Sequence, residues 1–235
     1  MLFQRKRRYR YLFFDLDHTL WDFDANAREA IYDTFIDLGL SESINDYNVF
    51  FATYEKHNKR LWAEYEAGNL KKEQLRPLRF HLTLKDFGID DFSMAEKFGE
   101  AYITRCPRKT TLFPGVIEIL NYLKPHYEMA IITNGFAEVQ QVKLTACGIA
   151  PYFSRVFISE TVGYPKPRPE IFHAALTAFH AKKKECLMIG DNPDNDIAGA
   201  RNYGIDQVFF NPHQTSHQIK TTYEIAALEE LKKIL

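Results

Sequence analysis

The chain is built from short apolar runs that each stop on polar residues capable of chemistry. Tyr9 to Phe14 leads into Asp15-Leu16-Asp17-His18-Thr19, Tyr127 to Ile132 into Thr133-Asn134-Gly135, and Glu185 to Gly190 into Asp191 through Asp196. These runs alternate poorly, which marks strands buried on both faces, as in a parallel sheet covered by helices. Such sheets place ligands outside the carboxyl ends of their strands. The polar residues at the run ends are therefore expected on one rim.

Two further strands, Arg155 to Ser159 and Gln207 to Phe210, extend the pattern, and helical spacing fills the intervals. Val116 to Leu123, Val139 to Leu144, Glu170 to Phe179 and Ile197 to Tyr203 read as core helices, and Thr222 to Leu235 as a closing helix. From about residue 22 to 106 no strand is expected. Ala27 to Leu38 reads as a first helix capped by Asp24, and a second is capped by Ser43 or Asn45 and runs through Phe50, Tyr54, Leu61 and Trp62. Leu75 to Phe87 and Met94 to Tyr102 suggest two more. The expected organisation is an α/β core, residues 1–21 and 107–235, interrupted by a helical domain over 22–106. Pro165, Pro167 and Pro169 keep Lys166 off any helix and are expected to hold its backbone extended.

Asp15 and Asp17 stand two apart on an extended chain, so both can point to one side while Leu16 turns into the core. Two carboxylates on one side repel each other unless a cation joins them, and a hard ion with oxygen ligands, most simply Mg2+, suits the pair. Thr19, Thr133, Asn134, Lys166, Asp191 and Asp196 add hydroxyls, an amide, an ammonium and further carboxylates. This set suits phosphoryl transfer, which needs an ion to bridge charges, donors around the equatorial oxygens and an in-line nucleophile.

On these residues the chain resembles the haloacid dehalogenase-like hydrolase superfamily. Asp15-Leu16-Asp17-His18-Thr19 is similar to its Asp-x-Asp-x-Thr motif, Thr133 to its strand-ending hydroxyl, Lys166 to its lysine, and Gly190-Asp191 with Asp196 to its last acidic motif. The resemblance implies a Rossmann-like core with a central parallel sheet and a helical cap inserted after the first strand, of the type called C1. It implies a two-step phosphatase in which Asp15 is the nucleophile and forms an aspartyl-phosphate. Asp17 would protonate the leaving oxygen and then deprotonate water. Mg2+ would be held by Asp15, the backbone carbonyl of Asp17, and Asp191. Thr133, Asn134, Gly135 and Lys166 would bind the phosphoryl group, while Asp196 and Thr19 would support from behind. Closure of the cap over the site is expected with it.

Asp17 argues against carbon–halogen hydrolysis, whose leaving halide needs no proton. A finer resemblance, through Asp15-Leu16-Asp17-His18-Thr19-Leu20-Trp21-Asp22-Phe23 and Thr133-Asn134-Gly135-Phe136, is to the YjjG-like branch of nucleoside 5′-monophosphatases. It implies nucleoside or deoxynucleoside 5′-monophosphates as substrates. Alternatives are a broad phosphatase of sugar phosphates or phosphoglycolate, a phosphomutase, and a noncatalytic phosphometabolite sensor. A phosphonate hydrolase would need a Schiff-base lysine, and Lys56 and Lys59 read as solvated helix positions. His18 is a candidate substrate contact. Trp21, Phe23, Tyr54, His57, Trp62 and Tyr65 could stack on a base, although their helical spacing fits the interior of the insert better.

A formal charge of -1, from 30 Lys plus Arg against 31 Asp plus Glu, gives no reason to expect a nucleic-acid polymer as partner. Arg5, Lys6, Arg7, Arg8 and Arg10 make the start locally basic and read as a solvated terminus. No apolar run is long enough for a bilayer, and no secretory leader is recognisable. Cys106, Cys147 and Cys186 are too few and too scattered for a disulfide framework, so a reducing cytoplasm is the expected compartment. A monomer is the default, with a dimer left open.

Overall fold

The computed structural model describes residues 8–235, in which two compact units form. One comprises the described residues up to Phe23 together with Thr110–Leu235, and the other is Asp24–Lys109. Arg5, Lys6 and Arg7 of the basic start lie outside the described residues. Arg8 pairs with Asp206 at 2.6 Å on the surface.

The first unit is organised by a six-stranded, wholly parallel sheet. Its strands are β1 (Tyr11–Phe14), β2 (Glu128–Thr133), β3 (Arg155–Ile158), β4 (Cys186–Gly190), β5 (Asp206–Phe210) and β6 (Tyr223–Ile225), in the order β3-β2-β1-β4-β5-β6. β1 lies inside the sheet, with Phe14 in register with Ile131 on one side and Ile189 on the other. Leu12, Phe13 and Phe14 are fully buried, which is why this strand shows no alternation. Helices α5 (Val116–Leu123), α6 (Ala137–Ala146), α7 (Ser159–Val162), α8 (Pro169–Ala178), α9 (Gly199–Tyr203) and α10 (Leu231–Ile234) complete the unit. On one face Phe13, Ala130, Ile132 and Met188 pack with Ile171 and Phe172 of α8. This is the expected α/β class with a central parallel sheet.

The end of the chain differs from the expected single helix over 222–235. Tyr223–Ile225 adds a parallel edge strand to β5, and the Asn211 amide donates to Ile225 O at 2.8 Å, leaving only Leu231–Ile234 as α-helix. Pairing with β5, which depends on tertiary context, takes Tyr223–Ile225 out of the expected helix, and helical turns begin only at Leu228.

The second unit consists of helices α1 (Phe23–Asp37), α2 (Tyr47–Glu66), α3 (Lys72–Asp86) and α4 (Phe92–Arg105). Its interior is aromatic: Phe80 stacks on Tyr54 at 5.2 Å and on Phe98 at 4.5 Å between ring centroids. Gly39, at φ +69, takes up the left-handed conformation that stops α1. The cap of α2 is Asp46, whose carboxylate accepts from the Asn48 and Val49 amides, and neither Ser43 nor Asn45 fills that role. Asp24 lies within the first turn of α1 and does not precede it. Tyr54 is buried in this interior, whereas Lys56 and Lys59 are exposed. No described helix is long and apolar enough to cross a membrane.

Candidate active site

All named groups of the site belong to the sheet unit. Asp15 follows β1, and its amide donates to Ile189 O of β4 at 2.9 Å, which continues the ladder one residue beyond the strand. Leu16 is fully buried, as the alternation requires. Leu16 O then accepts from Leu20 and Trp21, closing a tight loop in which His18 takes φ +64. That loop carries Thr19 inward, where its hydroxyl donates to Asp191 Oδ1 at 3.1 Å. Thr133 ends β2, and Asp191 follows Gly190 at the end of β4.

Lys166 joins three of these strand ends. Its ammonium donates to Asp15 Oδ1 at 2.5 Å, Asp196 Oδ1 at 2.6 Å and Ile132 O at 2.9 Å, and the side chain is buried. Its backbone is held by the Asn134 side chain, which accepts from Lys166 N at 2.8 Å and donates to Lys166 O at 3.0 Å. The segment is not extended as expected. The Arg168 amide closes a turn onto Pro165 O at 2.9 Å, with the Lys166–Pro167 peptide bond cis within it. Asp196 is fixed by the Asn192 amide on its other oxygen at 3.0 Å, and a Cβ at Gly190 would collide with its carboxylate.

Asp17 is held differently. Its carboxylate accepts from Lys143 Nζ at 2.5 Å and Gln140 Nε2 at 2.9 Å, both on α6. Gln140 Nε2 also donates to Thr133 Oγ1 at 2.7 Å. The Lys143 ammonium lies 4.2 Å from the centroid of the Trp21 ring, which is fully buried beneath it. His18 packs its ring against Phe23 at 4.9 Å.

The charges in this pocket are unbalanced. Burial pushes the Asp15 carboxyl well above the carboxylate range, and Asp196 and Asp191 add to the rise that Lys166 opposes. Burial, followed by the neighbouring Asp196, pushes Asp191 up to about 7. For Asp17 burial acts upward too, but Lys143 and Gln140 outweigh it and hold the carboxyl below its usual range. Lys166 is held protonated, since Asp15 and Asp196 outweigh the effect of burial. Asp15, Asp191 and Asp196 each offer an oxygen within 4.8 Å of the others. Three carboxylates against one ammonium leave negative charge in a buried pocket, and an all-oxygen donor set fits a hard divalent cation such as Mg2+.

The structure thus brings together Asp15, Lys166, Asp191, Asp196 and Thr19, while Thr133 connects through Gln140 to Asp17. The Asp17 carboxylate is not among the clustered acidic oxygens and is held by α6 instead. Gly135 donates its amide to Thr133 Oγ1 at 3.3 Å. Gln140 and Lys143 are the groups that reading the sequence missed. They lie three apart, and so on one helix face, but the apolar spacing of Val139, Val142 and Leu144 drew attention to another face.

A sequence model described as haloacid dehalogenase-like hydrolase matches residues 9–204. The chain belongs to the haloacid dehalogenase-like hydrolases. Among curated relatives it is 32% identical to the pyrimidine 5′-nucleotidase YjjG of Escherichia coli, over 97% of this chain and 98% of that protein. It is 33% identical to the pyrimidine 5′-nucleotidase PynA of Streptococcus pneumoniae, over 95% and 93% respectively. Among solved structures, the magnesium-bound HAD-hydrolase YfnB of Bacillus subtilis superposes with a TM-score of 0.87 at 30% identity, covering 97% of this chain and 99% of that one.

Proposed function

We propose that this hydrolase is a Mg2+-dependent phosphomonoesterase that works through an aspartyl-phosphate on Asp15 and acts on nucleoside 5′-monophosphates, pyrimidine nucleotides foremost. The observation that carries the reaction is the buried contact of Asp15 with Lys166, beside a second, separately held carboxyl on Asp17. The substrate follows from the two nucleotidases that match over nearly the whole chain.

In the first step an Asp15 oxygen attacks phosphorus in line, the bond from phosphorus to the ester oxygen breaks, and Asp17 gives that oxygen its proton. Lys166, the Thr133 hydroxyl and the backbone of Asn134 and Gly135 receive the equatorial oxygens. In the second step Asp17 takes a proton from water as the water oxygen attacks phosphorus, and the Asp15–phosphorus bond breaks to release phosphate. Lys143 and Gln140 hold Asp17 as a carboxylate at rest, so the proton for the first step arrives with the substrate. An alkyl phosphate loses its second proton near pH 6, and its monoanion can pass that proton to Asp17. Asp15, Asp191 and the Asp17 carbonyl, with Asp196 behind them, would hold Mg2+, which would supply positive charge to keep Asp15 ionised and to neutralise the phosphoryl oxygens.

Phosphate release with Mg2+ from a panel of nucleoside 5′-monophosphates, sugar phosphates and phosphoglycolate tests this reading, run beside Asp15→Asn and EDTA. Preference for pyrimidine monophosphates, abolished by both controls, is expected. Faster turnover of another phosphoester would discard the nucleotide assignment, and normal turnover by Asp15→Asn would discard the mechanism.

A further inference from the structure

We infer that Gln140 and Lys143 are positioning residues: together they set the Asp17 carboxyl for protonation of the leaving group, and Gln140 also orients the Thr133 hydroxyl for a phosphoryl oxygen. This rests on the phosphatase reading above and names the part of the protein on which its acid–base step depends.

Two donors from one helix take separate oxygens of a single carboxylate: Lys143 takes Oδ1 and Gln140 takes Oδ2. Both side chains are buried, Gln140 at 0% exposure and Lys143 at 5%. With both oxygens engaged, the carboxyl is fixed in direction as well as in place, which a single ion pair would not achieve. Gln140 also donates to Thr133, and the Gly135 amide donates to the same Thr133 oxygen. Two donors into one hydroxyl leave its own proton to be given outward, the orientation that a phosphoryl oxygen requires.

The Gln140 amide cannot be turned the other way, since its oxygen would then face the Asp17 carboxylate. In the orientation it holds, Oε1 is buried with no hydrogen-bond partner among the described residues. A buried acceptor left unmatched by protein groups is unusual in a folded chain. Gly135 makes room for it, because a Cβ there would run into the Gln140 amide. Lys143 is confined in turn between Asp17 and the Trp21 ring, so its charge stays beside the carboxylate without solvent.

An ion pair that only stabilised the fold would affect every substrate alike. A device that positions the acid discriminates between esters in the first step, where only some leaving groups need a proton; the water step that follows is common to all. The test is steady-state kinetics of the Mg2+-loaded full chain on p-nitrophenyl phosphate, whose phenolate departs unaided, and on the fastest alkyl monoester of the panel, uridine 5′-monophosphate on the reading above. Lys143→Met is expected to lower kcat/KM, which reports the steps up to departure of the leaving group, about a hundredfold on the alkyl ester, within the range of general acid catalysis, and less than about fivefold on p-nitrophenyl phosphate, while Gln140→Met, which also releases Thr133, lowers both but the alkyl ester more. Lys143→Arg, which keeps the cation, should recover part of the loss and covers the case in which the methionine variants do not fold.

Equal losses on both esters, or none, would overturn the inference while leaving the phosphatase reading in place. Failure of the unmodified protein to release phosphate from any monoester would refute that reading and, with it, this inference.

Discussion

Binding of Mg2+ should weaken steeply with acidity, and the structure indicates by how much. Asp191 titrates at about 7 in the metal-free pocket because it is buried beside Asp196. An ion that ligates this carboxylate must displace its proton. At pH 8 the group is almost fully ionised, whereas at pH 5 about one molecule in a hundred carries the anion. The apparent dissociation constant should rise about a hundredfold across that interval, or about 2.7 kcal/mol. Asp15, also displaced upward, acts in the same direction. Isothermal titration of Mg2+ at pH 5, 6, 7 and 8, in buffers of different ionisation enthalpy, measures both the constant and the proton released. Stability follows the same linkage. Because the folded pKa lies above the unfolded value of about 3.9, the Asp191 contribution to the metal-free fold is full below pH 4 and lost as pH rises through 7. Mg2+ should therefore raise Tm more at pH 8 than at pH 5. A dissociation constant that is flat from pH 5 to 8, with no proton released, would refute the reasoning.

Asp15→Asn should lower turnover on the order of a thousandfold or more, with no loss of Tm in metal-free protein, since it removes one of three crowded carboxylates; phosphate release and thermal melts check both. Lys166→Met leaves Asp15 and Asp196 facing each other without their shared cation, and urea unfolding at pH 8 should show a loss of about 3–5 kcal/mol that shrinks at pH 5. Asp46→Ala removes the cap of α2 and should lower stability in urea by about 1 kcal/mol, with kcat unchanged.

The α/β class was legible because Leu12 to Phe14 and Leu187 to Ile189 are apolar without interruption, a local property that needs no partner to be seen. The acidic residues after these runs were legible for the same reason. Lys166 was legible as a cation just beyond the third strand, but its contact with Asp15, which spans 151 positions, was not. Gln140 and Lys143 escaped because a helix has several faces, and the sequence does not say which one the Asp17 loop will meet. The strand Tyr223–Ile225 escaped because an edge strand of three residues is defined by its neighbour. Asp46, one position beyond Asn45, shows how little separates one capping residue from another before the backbone is known.

Where the helical unit departs and returns, the chain is stitched to itself. Phe113 donates to Leu20 O at 3.0 Å, Trp21 bridges Leu112, and Asp22 donates to Thr111 O at 3.1 Å. Topologically, everything from Phe23 to Thr110 is the loop of one antiparallel hairpin. Closing so long a loop in place of a four-residue turn costs only about 3 kcal/mol of chain entropy, because the penalty grows with the logarithm of length. The insert is thus a cassette. Evolution, or an engineer, can lengthen it, exchange it or cut it back to a tight turn at this one seam, and the strand that carries Asp15 keeps both of its neighbours.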